Sequence, residues 1–89
     1  MEDFEWDENK RASNLLKHGI DFVDATHVFR DEKRIELETF KNNEQRFLTI
    51  GTVHQVIILV VYVVRKSRRR LISARRASVE ERKYYEPQC

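Results

Sequence analysis

Seven Lys and Arg side chains lie within twelve residues late in the chain, directly after the apolar run VIILVVYVV. They are Arg65, Lys66, Arg68, Arg69, Arg70, Arg75 and Arg76. So many like charges are held close together only where a polyanion neutralises them. Arginine suits phosphate because its planar guanidinium donates two parallel hydrogen bonds and stays charged at cellular pH. We therefore predict that these residues bind RNA or another polyanion, with a solvated basic loop as the alternative.

Histidines and tyrosines supply the groups that could move a proton beside such a phosphate. His18 follows Lys17 at the end of a predicted helix, where the negative end of the helix dipole attracts cations. It either caps a carbonyl or acts on RNA. His27 and His54 have no second His or carboxylate at metal-ligand spacing, so we expect structural or surface roles for both. Tyr85 could stack on a base or exchange a proton, although an aromatic residue there is more often part of a core.

Several classes of function are excluded by composition. The chain has two glycines, which excludes a glycine-rich nucleotide loop, and no Ser-His-Asp set can be drawn. The apolar run of nine residues is shorter than the roughly 20 needed to span a bilayer, and no signal peptide is evident. Cys89 is the sole cysteine, which favours a reducing cytoplasm. We expect one domain over residues 1–89, with no cofactor, no metal and no membrane contact.

The helices that must carry these groups have local start and stop signals. Asp7 can cap a helix from about Glu8 to His18, and Gly19 follows where a helix commonly stops. Asp21 can cap a second short helix whose apolar residues share one face. Ser78 and Glu81 match a capping box that opens a last helix through Tyr85.

Strand patterns occupy the middle of the chain. Residues 35–40 alternate between apolar and polar, and Phe4 with Trp6 suggests a short extra strand. We predict strands at 35–40, 46–50, 55–64 and 71–74, with reversals at 41–44, at Gly51 with Thr52, and across the cluster KSRRR. The third of these has no alternation, so both of its faces should be covered and it should be central. The predicted fold is α+β, with two N-terminal helices, an antiparallel sheet of about four strands and a C-terminal helix.

The strand order also predicts where the cations meet. In an antiparallel meander the strand ends beside a turn are neighbours. We therefore expect Arg65, Arg70, Arg75 and Arg76 to converge on one edge or face and to grip adjacent phosphates.

Several short motifs together resemble one known family. They are FEWD at 4–7, Lys10, Asn14, KHGIDF at 17–22, Ala25, Phe29, RFL at 46–48, IG at 50–51, ISARRA at 72–77 and ER at 81–82. With these motifs the chain resembles the BrnT family, toxins of bacterial type II toxin–antitoxin pairs that have a RelE-like ribonuclease fold. The resemblance spans nearly the whole chain, and the first and last motifs together are specific.

The resemblance implies a metal-independent endoribonuclease that blocks translation. It also implies that a ribbon-helix-helix antitoxin neutralises the toxin, that the pair represses its own operon, and that operator DNA is contacted only through the antitoxin. The chain departs from the family pattern at Tyr62 to Val64, where relatives carry polar residues before the arginine. A general base from that stretch is absent here.

Carried onto this sequence, the resemblance points to Lys17, His18, Arg65, Arg75 and Arg76 as functional residues. Our hypothesis is attack by a 2′-hydroxyl on its own phosphate, with Arg65 and Arg75 stabilising the phosphorane. One of His18, Lys17 or Tyr85 would move the proton. The alternative is a module without catalysis, whose arginine face holds RNA or an acidic partner segment. DNA binding is a weaker third possibility, because no recognition helix is evident.

Overall fold

Five strands form one sheet in the computed structural model, which describes residues 3–86; Cys89 lies outside this range. The strands are β1 (Phe4–Trp6), β2 (Ile35–Lys41), β3 (Glu44–Val53), β4 (Val56–Arg65) and β5 (Arg68–Arg76). They lie in the order β1-β5-β4-β3-β2. β1 runs parallel to β5, and the other neighbouring strands are antiparallel. The predicted α+β class is confirmed. The sheet is mixed and five-stranded, because the short N-terminal strand that the sequence left open is present.

β4 is the central strand, as its continuous apolar pattern predicts. On one face, which we call the α1/α2 face, buried residues such as Val60 and Tyr62 pack against Phe22 and Phe29 from the helical segments. On the opposite face, Leu59 packs in a cluster of buried residues with Ile50 and Tyr85. Alternate residues of β4 therefore enter two separate apolar layers, which is why its sequence shows no polar face.

Three α-helices flank the sheet: α1 (Glu8–His18), α2 (Phe22–Ala25) and α3 (Val79–Tyr85). The Asp7 side chain accepts hydrogen bonds from the first free amides of α1. Gly19 has φ 73° and donates its N–H to Leu15, which ends α1 at the predicted residue. The Ser78–Glu81 capping box opens α3 as predicted. These boundaries are correct because each depends on residues only three or four positions apart.

The inward face of α1 is polar. Asn14 is buried, whereas Leu16 is 91% exposed. The Asn14 amide donates to the carbonyls of Ile20 and Ala74, and its oxygen accepts from the N–H of Ala74 at 3.1 Å. Asn14 thereby satisfies both backbone groups of a β5 residue and fixes α1 against that strand.

The second predicted helix is divided into α2 and a 3₁₀ turn, Thr26–Arg30, which together bury Phe22, Ala25, Val28 and Phe29. This turn approaches β3 closely at Gly51. A Cβ on Gly51 would lie 2.8 Å from Cγ2 of Val28, so the packing requires a glycine here.

The predicted reversals at Gly51 and across KSRRR are wrong. Gly51 lies inside β3, opposite Ile58 of β4, and the chain turns at His54 and Gln55 instead. In the cluster KSRRR, the turn is limited to Lys66 and Ser67, and the following three arginines belong to β5. Both turn residues in each of these two hairpins have positive φ, the pattern of a type I′ turn. Asn and Gly are the usual residues of such turns, and neither His54–Gln55 nor Lys66–Ser67 contains one, so the sequence did not mark their positions.

Candidate active site

The predicted convergence of Arg65 and Arg75 is wrong. Arg65 lies opposite Arg68 at the hairpin turn, whereas Arg75 lies opposite Leu59. Arg65 and Leu59 are six residues apart along β4, so the two arginines are separated by about 20 Å. They cannot stabilise the charge on one phosphorane.

Arg75 is held in an ion pair on the α3 side of the sheet. Its Nη1 and Nη2 atoms donate to the two carboxylate oxygens of Glu81, each at 2.8 Å. The same carboxylate accepts from the backbone N–H of Ser78 in the capping box. The hydrogen bond from Arg75 is the main cause of the lowering of the pKa of Glu81 to about 2. Arg75 therefore fastens α3 to β5, and its donor fork is already occupied.

Tyr85 lies in the core and not in a cleft. It is 4% exposed. Its hydroxyl donates to Asp31 at 2.5 Å and accepts from Thr52 Oγ1 at 2.8 Å. Asp31 also accepts from the N–H of Thr52. Burial acts to raise the pKa of Asp31, but these hydrogen bonds together hold it below its ordinary value. A buried phenol in such a network cannot reach a phosphate of RNA, so the structure contradicts the predicted proton-transfer role.

Four of the predicted RNA-binding cations, Arg65, Lys66, Arg68 and Arg70, lie at the β4–β5 turn, and we call them the basic hairpin. Arg70 and Arg68 lie 3.2 Å and 3.8 Å from the carboxylate of Glu5 on β1. Arg65 lies 4.0 Å from Glu44 on β3. The side chains of Arg65 and Arg68 remain more than half exposed. Within residues 3–86, Arg65, Arg68 and Arg70 form ion pairs with two carboxylates, so the four cations outnumber these partners.

Arg69 projects onto the opposite, α1/α2 face. Its guanidinium carbon lies 4.1 Å from the centre of the Phe29 ring and 5.6 Å from that of Tyr62. Burial lowers the pKa of this side chain. The cation–π contacts compensate part of that burial, so Arg69 has a packing role beside any role in RNA binding.

The hydroxyl of Tyr62, which interrupts the apolar run of β4, has a hydrogen-bonding role in the fold. Its hydroxyl donates to Glu36 at 2.8 Å, and the same carboxylate accepts from Thr49 and Arg34. Burial and the Glu36 carboxylate raise the pKa of Tyr62. The phenol therefore stays protonated and links β4 to β2.

His18 and Arg76 both line a cavity of about 310 Å³ on the α1/α2 face, at the end of the sheet away from the basic hairpin. His18 is the last residue of α1, and Arg76 is the last residue of β5. His54, from the β3–β4 turn, and Asp24, from α2, complete the polar rim, and the apolar lining includes Ile58. We call this cavity the histidine pocket. Its lining includes an imidazole, which can transfer a proton, and a guanidinium, which can stabilise phosphate charge.

The ends of α1 and β5 explain why His18 and Arg76 line one cavity. α1 stops at His18 because Gly19 takes the left-handed conformation, and α1 packs along β5 through Asn14. Lys17, which precedes His18, is exposed on α1. Of the predicted site residues, His18 and Arg76 therefore line the histidine pocket, and Lys17 precedes His18 in sequence.

The sequence predicted a structural or surface role for His54, and this residue is exposed in the structure. His54 lines the histidine pocket, and its ring centre lies 5.9 Å from that of His27. The chain has three histidines, and all of them lie at or beside this end of the sheet. His54 reaches this end of the sheet because the β3–β4 turn lies at residues 54–55, three residues later than the sequence predicted.

Within residues 3–86, no three His, Cys, Asp or Glu side chains are grouped closely enough to hold a metal ion. No helix in the described part of the chain is long and apolar enough to cross a bilayer.

The fold is that of a small α+β protein, and His18 and Arg76 line one of its cavities. The family described as "Ribonuclease toxin, BrnT, of type II toxin-antitoxin system" matches residues 6–81. No curated protein matches the chain. The family match covers most of the chain, so the protein belongs to the BrnT family of ribonuclease toxins. As a member of a type II toxin–antitoxin family, it has an antitoxin as its partner.

Proposed function

We propose that this protein is a metal-independent endoribonuclease that cuts RNA by attack of a 2′-hydroxyl on its adjacent phosphate and so blocks translation in the cytoplasm. The observation that carries the proposal is that His18 and Arg76 line the same cavity. Membership of a ribonuclease toxin family supports the same chemistry. A pocket of this size accepts a phosphate and part of a nucleotide.

The proposed roles are divided between the two ends of β4, because Arg65 and the histidine pocket lie at opposite ends of this strand. Arg76 replaces Arg75 as the group that stabilises the phosphorane, since Arg75 is occupied by Glu81. His18 transfers a proton, and the charge of Lys17 attracts the phosphate chain. The basic hairpin and Arg69 bind RNA outside the cut, so Arg65 contributes to affinity and not to the chemical step.

The proposed partner is a ribbon-helix-helix antitoxin that neutralises the toxin and with it represses their operon. Support comes from the type II family and from the resemblance that the sequence motifs show. Contact with operator DNA would then be made by the antitoxin. The same resemblance supports a RelE-like arrangement of the helices and the sheet.

A binding module without catalysis is the second candidate. It is favoured by the structural use of Arg75 and Tyr85, and by Tyr62 to Val64, which supply no general base. In that case the basic hairpin would hold RNA or an acidic segment of a partner.

Two assays distinguish the candidates. For a ribonuclease, induced expression arrests growth, and the purified protein cuts a labelled messenger RNA transcript in the presence of a chelator. A 2′-O-methyl group at the mapped cut should abolish cleavage because the attacking hydroxyl is blocked. Binding of the transcript without cleavage, together with normal growth, would favour the binding module. Cleavage that stops on chelation would contradict metal independence.

A further inference from the structure

His54 lies across the same pocket as His18 although nothing in the sequence pattern marks it. It is the first residue of the two-residue turn between β3 and β4, with φ 49°. The histidine pocket thus receives one imidazole from α1 and another from the β3–β4 turn, with Arg76 on its lining.

The backbone of His54 is unfavourable for its residue type. Left-handed backbone is sterically disfavoured for a residue other than glycine, and type I′ turns favour Asn and Gly. Lys66 and Ser67 have similar φ values, so this conformation alone is not evidence of function. The location of His54 separates it from them, because its imidazole lines the cavity that holds His18 and Arg76.

His27 lies beside His54. The two rings meet edge to face, with an angle of 67° between their planes. His27 is half-buried in the 3₁₀ turn, whereas His54 is exposed at the rim. This contact places the His27 ring against one side of the His54 imidazole.

We propose that His54 is the general base of the ribonuclease reaction and that His18 is its general acid; this inference rests on the proposed function. His54 takes the proton of the 2′-hydroxyl while the 2′-oxygen bonds to phosphorus. The bond from phosphorus to the 5′-oxygen breaks, and His18 protonates that oxygen. The products are a 2′,3′-cyclic phosphate and a 5′-hydroxyl, and solvent restores both imidazoles.

The assignment of the two roles follows from their surroundings. His18 is the last residue of α1 and so lies at the negative end of the helix dipole, whereas His54 lies in a turn outside any helix. His18 therefore takes the acid role and His54 the base role.

The first test is chemical rescue. His54→Gly keeps the positive φ of the turn and leaves space for added imidazole. We expect its cleavage rate to fall about 10²- to 10⁴-fold and to recover at least tenfold with imidazole. Gln55→Gly relaxes the same turn and serves as the control, with a rate near that of the wild type and no response to imidazole.

The second test uses an oligonucleotide with sulfur in place of the 5′-bridging oxygen at a mapped cut. A thiolate leaves without protonation, so this substrate should restore cleavage by His18→Ala but not by His54→Gly. Restoration of the His54 variant alone would reverse the two roles and contradict the assignment. If the wild type cuts RNA and His54→Gly cuts at a similar rate, the inference is wrong and the proposed function stands. If the wild type does not cut RNA, both are wrong.

Discussion

Replacing Arg75 with Ala should destabilise the protein and leave its chemistry intact, whereas the sequence analysis assigned Arg75 to stabilising the phosphorane. Arg75 makes two charge-assisted hydrogen bonds to Glu81, and Glu81 also closes the capping box of α3. The side chains of Arg75 and Glu81 are 37% and 24% exposed. The loss therefore affects a partly solvated ion pair that connects α3 to β5.

The pKa of Glu81 sets the size of the effect. Its ordinary value of 4.5 falls to about 2 in the folded protein. At 1.36 kcal/mol per pKa unit this corresponds to an upper limit of about 3 kcal/mol. Solvent screens a pair that is more than a third exposed on one side, so we expect a loss of about 1–2 kcal/mol for Arg75→Ala near neutral pH.

The dependence on pH follows from the lowered pKa. A carboxylate with a lowered folded pKa stabilises the protein above its unfolded value of about 4.5, and this contribution is lost as the pH falls toward 2. Urea unfolding of the wild type and Arg75→Ala should therefore differ at pH 7 and converge as the pH falls from 4.5 toward 2. Lys83→Ala, an exposed change in the same helix, should be neutral.

Cleavage assays complete this test. Corrected for the folded fraction, Arg75→Ala should cut RNA within about threefold of the wild type. Unchanged stability with a rate loss of about 10² or more would show that Arg75 acts in catalysis and that its pairing with Glu81 is not its role.

Three further perturbations test other parts of the account. Tyr85→Phe should lower the free energy of unfolding by about 1–3 kcal/mol, because a buried hydroxyl in a hydrogen-bond network is lost, without changing cleavage per folded molecule; lost activity at unchanged stability would restore its catalytic role. Asn14→Leu should cost about 2–4 kcal/mol in urea unfolding, because the N–H and carbonyl of Ala74 lose their partner, and a cost below about 0.5 would contradict this. Arg65→Ala and Arg68→Ala should each reduce the salt dependence of RNA binding by about 0.7 in log–log slope, and an unchanged slope would remove the basic hairpin from the RNA interface.

Local chemistry made much of the fold predictable. Asp7, Gly19 and the Ser78–Glu81 pair mark helix ends through contacts within a few residues, and the structure has each of them. The continuous apolar pattern of β4 likewise placed it at the centre of the sheet.

The candidate site was less predictable because it depends on strand register. Sequence alone could not show that β5 begins at Arg68, which places Arg65 and Arg75 at different distances from the turn. The pairing of Arg75 with Glu81 also depends on where α3 returns to the sheet. The role predicted for His18 remains open to test, but its neighbours in the pocket, His54 and Arg76, come from distant parts of the chain.

The central claim is that RNA is cut at the histidine pocket and not at the basic hairpin. The most direct measurement compares single-turnover cleavage of one labelled transcript by Arg76→Ala and Arg65→Ala, at saturating protein and with a chelator present. We predict that Arg76→Ala slows cleavage about 10²- to 10³-fold while its unfolding midpoint stays unchanged, and that Arg65→Ala keeps a rate near that of the wild type. The opposite result, with Arg65→Ala inactive and Arg76→Ala fully active, would contradict the account.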